Sequence, residues 1–283
     1  METPDVTVVI PTHDRAGLLP RALDSALAQQ GCDFEVVVAD DGSADDTPRV
    51  LQPYLADPRV RVLALAHGGV SRARNAAVAV AQAPLIAFLD SDDEWLPGKL
   101  AAQTSLIRET GLSICQTEET WIRNGVRVNP PAHYVKRSGD IYALSLRHCM
   151  ITPSSVLMTR DLYRAVGGFN PEFPACEDFE MWLRITWNHP VGLLPKPMLV
   201  RYGGHADQLS TRYPAQDRFR IRALTLHLDG TPLDPGRRGL ALQALEEKLR
   251  IYEAGCAKRG KLEELEWCRE IRNRHLSGPG VKR

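Results

Sequence analysis

Apolar positions fall in short blocks that alternate with amphipathic stretches through the first hundred residues. Residues 6–10 (VTVVI) form a β-branched run stopped by Pro11, after which Leu18, Leu19, Ala22, Leu23, Ala26 and Leu27 recur at helical spacing. The unit repeats. Residues 34–40 (FEVVVAD) predict a second strand, and DGSADDTP then supplies turn residues, a capping Asp or Thr, and Pro48 at a first helical position ahead of Val50, Leu51, Tyr54 and Leu55. A third strand is predicted over 60–65, an alanine-rich helix over 71–81, and a fourth strand over 85–89. Alternation of this kind implies an α/β fold, a mostly parallel sheet with helices on both faces. In such sheets ligands bind beyond the carboxyl ends of the strands.

After Lys99 the pattern loosens. A helix runs to about residue 109, and ICQTEETWI and VRVNP read as antiparallel strands joined through Asn124 and Gly125. RDLYRAVGGFNPEF predicts a short helix ended by Gly167 and Gly168, and residues 177–187 a second with an acidic first turn. Beyond Tyr213 the chain is helical, with Leu240, Leu242, Leu245, Leu249 and Tyr252 on roughly one stripe, and SGPGVKR is a fraying tail. The organisation expected is a nucleotide-binding half over 1–109, an acceptor and catalytic half of the same domain over 110–212, and a helical extension over 213–283.

Composition narrows the classes. With 35 Lys+Arg against 35 Asp+Glu, the 283-residue chain has no overall basic field of the kind that holds nucleic acid. Cys32, Cys115, Cys149, Cys176, Cys256 and Cys268 show no CxxC pair or metal-ligand spacing, which fits free thiols in a reducing cytosol. The start METPDVTVVIPTHDR lacks the basic and apolar segments of a signal peptide, and the run 76–89 is shorter than the ~20 apolar residues of a membrane span. A cytoplasmic location is expected, with the inner face of the membrane compatible.

Three loops at strand ends carry the candidate chemistry: PTHDR at 11–15, DDGSADD at 40–46 and DSDDEW at 90–95. Asp90, Asp92, Asp93 and Glu94 repel one another unless a cation lies between them, and carboxylate oxygens suit hard ions such as Mn²⁺ or Mg²⁺. Each motif also has a purely structural reading. Asp40 and Asp41 fit an Asx turn, and Glu177 and Asp178 suit a helix dipole. Arg72 and Arg74 are either solvated or near a phosphate-sized opening at a helix N-terminus. Trp95, Trp121, Trp182 and Trp187 read as core anchors.

Taken in order, VTVVIPTHDR, VVVADDGSADDT, GGVSRARNAA, FLDSDDEW and GGFNPEFPACEDFEMWLRI resemble the motifs of a family 2 glycosyltransferase of GT-A fold, over roughly residues 5–210. The resemblance implies a Rossmann-like sheet and inverting transfer of sugar from a nucleoside diphosphate sugar, UDP foremost, with Mn²⁺ or Mg²⁺. It places Pro11, Thr12, Asp14, Asp40, Asp41, Arg72, Arg74, Asp90 and Ser91 at the nucleotide. Asp90, Asp92 and His205 fall at the metal, and Glu177 and Asp178 form the acidic pair that contains the base. His13 stands where an aromatic Tyr is common. No QxxRW-like segment is present, which favours a single addition over polymer synthesis.

The implied partners are a nucleotide-sugar donor and a glycan, glycolipid or other hydroxyl acceptor, with no nucleic acid. Peripheral membrane contact and a homodimer are both compatible. A nucleotidyltransferase is the competing enzyme reading, but PTHDRAG has one glycine and one arginine where a triphosphate loop would be Gly-rich and basic. A non-catalytic sugar-nucleotide-binding module is the other, and the presence of Asp178 argues against it.

Overall fold

The structure, a computed structural model, describes residues 3–131, 134–204, 213 and 215–277. The first half realises the alternation: β1 (Val6–Thr12), α1 (Leu19–Leu27), β2 (Phe34–Asp40), α2 (Thr47–Leu51), β3 (Val60–Ala64), α3 (Val70–Ala79) and β4 (Leu85–Phe88). There follow β5 (Glu94–Trp95), α4 (Lys99–Thr110), β6 (Ile114–Arg123), β7 (Val126–Val128), α5 (Tyr142–Ser145), β8 (Leu157–Thr159), α6 (Arg160–Ala165), α7 (Glu177–Thr186) and β9 (Gly192–Gly203). The chain closes with α8 (Asp217–Gly230), α9 (Pro235–Lys258) and α10 (Leu262–His275).

One sheet runs through both halves in the order β3-β2-β1-β4-β8-β6-β9-β5, with β7 paired to β6. The β1–β2, β2–β3 and β1–β4 pairs are parallel, while β8 joins β4 and β6 in antiparallel fashion. The strand order reverses between β1 and β4, which opens a crevice there.

The parallel strands are apolar at nearly every position because both faces are covered. Val8, Ile10, Val36, Val38 and Ala87 belong to one core cluster with α1 and α4, whereas Val9, Val37, Ile86 and Phe88 belong to another that includes Ala73 and Ala77 of α3 and Trp182 of α7. The β6–β7 hairpin turns at Asn124 and Gly125, with φ values of 50° and 76°, as the Asn-Gly pair requires.

Three strands and the one-turn helix α5 lie outside the sequence reading. β5 and β8 are too short for a periodic signal, and β9 contains Pro195 and Pro197, which weaken any strand assignment. The β6–β9 ladder accommodates them with register shifts at Thr117/Glu118 and Glu118/Glu119.

The C-terminal helices pack on the elements that carry the crevice. Ile221, Leu224, Leu245 and Leu249 share a core cluster with Tyr142, Phe179 and Leu183. The expected stripe on α9 shifts: Leu240 is 42% exposed, and the buried face is Ala241, Ala244, Leu245, Lys248, Leu249 and Tyr252. The run of leucines obscured the period, since alanines and the stem of Lys248 complete the 3–4 spacing.

Candidate active site

A cavity of about 550 Å³ opens at the carboxyl ends of the parallel strands, and Pro171 and residues 173–178 line part of its wall. It gathers Pro11 and Thr12 at the end of β1, Asp41 after β2, Arg74 from α3, and Asp90, Ser91 and Asp92 after β4. Glu177 and Asp178 reach it from the start of α7. Asp14, Asp40 and Arg72 stand outside its lining. Asp14, at φ 50°, accepts hydrogen bonds from the backbone N–H of Ala44 (2.7 Å) and Asp45 (3.2 Å), and Asp40 accepts one from Ser43 N–H (3.0 Å). These two acids brace loops. Arg72 runs beside Gly68, where an added Cβ would lie 2.7 Å from its Cδ. His205 lies outside the described residues.

The acid-rich loop after β4 divides its carboxylates. Arg74 Nη2 donates to Asp90 Oδ1 at 2.6 Å, so a cation of the protein already meets part of the charge. Asp93 turns inward, accepting from Ser154 Oγ (2.6 Å) and Tyr202 N–H (3.2 Å), and burial followed by the charges of Asp92 and Asp90 pushes its carboxyl well up. Glu94 accepts from the Tyr202 hydroxyl at 2.6 Å. Arg21, stacked 3.6 Å from the Tyr202 ring centroid, donates to the Asp92 carbonyl and fixes the loop from behind. Asp90 and Asp92 remain half-buried on the cavity wall. Carboxylate oxygens of that kind fit Mn²⁺ or Mg²⁺.

The acidic pair on α7 is split by burial. Glu177 is 5% exposed and accepts from Arg74 Nη1 at 2.9 Å. Its carboxyl is pushed up to about 7, by burial first and by Asp178 next, with Arg74 opposing. Arg74 is itself 3% exposed and lies over the Phe169 ring; burial works against its charge, but Asp90 and Glu177 hold it firmly cationic. Asp178 is half-buried and faces other partners. Its Oδ1 accepts from Phe179 N–H at 2.7 Å and its Oδ2 from the Cys149 thiol at 3.1 Å. Burial and then Asp178 push the Cys149 thiol well above its ordinary range, so it stays a donor.

At the opposite end of the cavity, both oxygens of Asp41 are held by backbone N–H groups at the start of α3, Gly68 and Gly69, each at 2.8 Å. Asp41 thus occupies two of the N–H groups at this helix N-terminus, while Val70 and Ser71 of α3 stay on the cavity wall. Arg74 points the other way, into the Asp90–Glu177 bridge. Gly42, at φ 72°, lets the loop pass under His67, whose backbone N would lie 2.8 Å from any Cβ there. His67 Nδ1 sits 3.0 Å from Asp41 Oδ2, and its ring stacks on His13 at 4.1 Å.

Sequence reasoning missed Cys149, His67, Arg21, Ser154 and Tyr202. His67 was legible only as part of HGGV, and Cys149 as one unpaired thiol among six. Their contacts span 26 to 109 positions and carry no local signal.

A parallel half with its cavity at the strand-order reversal, an acidic loop after the last parallel strand and an acidic helix start across from it define a GT-A type transferase fold. The chain belongs to glycosyl transferase family 2, whose family model matches residues 7–167. It is 30% identical over 191 residues, 67% of this chain and 72% of the relative, to the UDP-Glc:alpha-D-GlcNAc-diphosphoundecaprenol beta-1,3-glucosyltransferase WfgD of Escherichia coli. It spans only 28–33% of the length of three other curated relatives, two glycosyltransferases of Rickettsia and the succinoglycan biosynthesis protein ExoO of Rhizobium meliloti.

Among solved structures, S. aureus TarS 1-349 in complex with UDP-GlcNAc superposes with a TM-score of 0.71 at 22% identity, covering 86% of this chain and 71% of that one. The mannosyltransferase PcManGT from Pyrobaculum calidifontis, in complex with GDP-Man and Mn²⁺, gives 0.62 at 18% identity, covering 91% and 76%. No helix among the described residues is long and apolar enough to cross a membrane.

Proposed function

We propose that this chain catalyses metal-dependent, inverting transfer of a single sugar from a UDP-sugar to a hydroxyl of a glycan or glycolipid acceptor. The observation that carries the reading is the unequal fate of the two acids on α7. Both line the cavity that also holds Asp90 and Asp92, but Glu177 is buried and paired with Arg74, whereas Asp178 is half-buried. One accessible carboxylate suits a single displacement, in which Asp178 takes the proton of the acceptor hydroxyl as its oxygen attacks the anomeric carbon. The leaving diphosphate requires no protonation, so no second acid is needed.

Asp90 and Asp92 would hold Mn²⁺ or Mg²⁺, which when bound neutralises charge on the diphosphate. Asp41, Pro11 and Thr12 would hold the nucleoside end, and Arg74 orients Asp90 while keeping Glu177 paired. UDP as the nucleotide is supported by the UDP-Glc in the name of WfgD and the UDP-GlcNAc bound in the TarS structure, and a lipid-linked acceptor, with peripheral membrane contact, by WfgD.

The test is Asp178→Asn, which keeps shape but cannot accept the proton. Turnover should fall about 10²–10⁴-fold with UDP-sugar affinity unchanged. Glu177→Gln serves as the control. If Glu177→Gln stops transfer and Asp178→Asn leaves it intact, the base is misassigned; if neither matters, the reaction is not run from this helix.

A further inference from the structure

The cavity contains a second cluster of ligating groups whose chemistry differs from that of the Asp90–Asp92 loop. His13, Asp41 and His67 each offer one ligand atom, and the three atoms lie within 4.8 Å of one another. They come from the loops after β1, β2 and β3, so the parallel register that builds the crevice also converges them. We propose that His13, Asp41 and His67 form a binding site for a borderline divalent cation of the zinc class, at the nucleoside end of the cavity.

The donor set points to that class. Two imidazole nitrogens and one carboxylate oxygen suit Zn²⁺ with an open fourth position, while Mn²⁺ and Mg²⁺ prefer oxygen alone. His67 Nδ1 and Asp41 Oδ2, 3.0 Å apart, already approximate the separation of about 3.3 Å between two ligands of a tetrahedral Zn²⁺. The ion takes the place of the proton between them. Asp41 is oriented for this by the N–H groups of Gly68 and Gly69, which use two of its roughly four acceptor positions and leave the others.

His13 supplies the third donor. Its Nδ1 is shut away from solvent with no hydrogen-bond partner among the described residues. The two rings stack with 22° between their planes, and an ion must lie in the plane of each, so binding turns them apart about χ2, a soft torsion. An ion at this position and a nucleoside on Asp41 exclude one another; that consequence alone rests on the nucleoside role proposed for Asp41. The cavity would thus take an oxygen-seeking cation at one end and be closed by a nitrogen-seeking one at the other.

The experiment is calorimetric titration of the full chain with Zn²⁺ in excess Mg²⁺, which keeps the oxygen-lined loop occupied, using wild type, His13→Ala and His67→Ala. His67 is half-exposed and its replacement leaves the core untouched. One Zn²⁺ should bind, and each variant should lose at least about 100-fold in affinity, more than the 10–100-fold that follows loss of a group that merely orients a ligand. Zinc affinity unchanged in both variants overturns the proposal. A repeat with uridine present should weaken Zn²⁺ binding. If binding depends on both histidines yet uridine does not compete, the cation site stands and the nucleoside role of Asp41 falls.

Discussion

Arg74→Met cuts the bridge between the acidic loop and the helix that carries the proposed base. Arg74 Nη1 and Nη2 serve Glu177 and Asp90, and removal leaves both without their cation. The Asp90 side chain is 28% exposed and regains water, but that of Glu177 is 6% exposed and does not. Because Asp90 is resolvated, mainly the charge-assisted hydrogen bond to Glu177 is lost, and Met fills most of the space, so the loss independent of pH is about 2 kcal/mol.

A further loss depends on pH. Glu177 binds its proton more tightly in the folded chain, near 7, than at its ordinary 4.5. Its contribution to stability is therefore greatest below 4.5 and is lost as pH rises through 7. Without Arg74, which lowers that value, the carboxyl stays protonated to higher pH and each unit above 7 costs about 1.4 kcal/mol relative to wild type.

For a chain of 283 residues, 1 kcal/mol corresponds to about 1.7 °C. Melting followed by calorimetry should therefore show Arg74→Met about 3 °C below wild type at pH 6 and about 6 °C below at pH 8. A deficit that is the same at both pH values, or that shrinks as pH rises, would refute the claim that Arg74 carries Glu177 as a buried ion pair.

Asp92→Asn removes an oxygen charge from a half-buried cavity position. In Mn²⁺ the affinity for UDP should fall at least about tenfold while the melting temperature holds; equal affinity with and without metal in both proteins would exclude a metal role. Cys149→Ala removes the thiol donor to Asp178 and should lower kcat about two- to tenfold at unchanged donor KM. Cys149→Ser should restore it, and an alanine variant as fast as wild type would show that Phe179 N–H alone orients the carboxylate.

The sequence determined the parallel half and the loops where chemistry gathers. Runs such as VTVVI and FEVVVAD must be buried on both faces, and a chain that alternates them with helices sends its loops to one edge of the sheet. Asn124–Gly125 fixed a hairpin for an equally local reason. Pro195 and Pro197 hid β9, because the bulges that accommodate them exist only against β6.

At the site, the sequence supplied the acids and the fold assigned their tasks. Repulsion within DSDDEW asked for a cation, and only the tertiary structure brings Arg74 to Asp90, buries Asp93 on Ser154 and couples Glu177 to a residue 103 positions away. Glu177 and Asp178 are neighbours of one type, so nothing local separates them. Their side chains leave the helix about 100° apart, and which is buried on Arg74 and which stays half-buried beside Cys149 is set by how α7 packs against α3, α5 and the sheet.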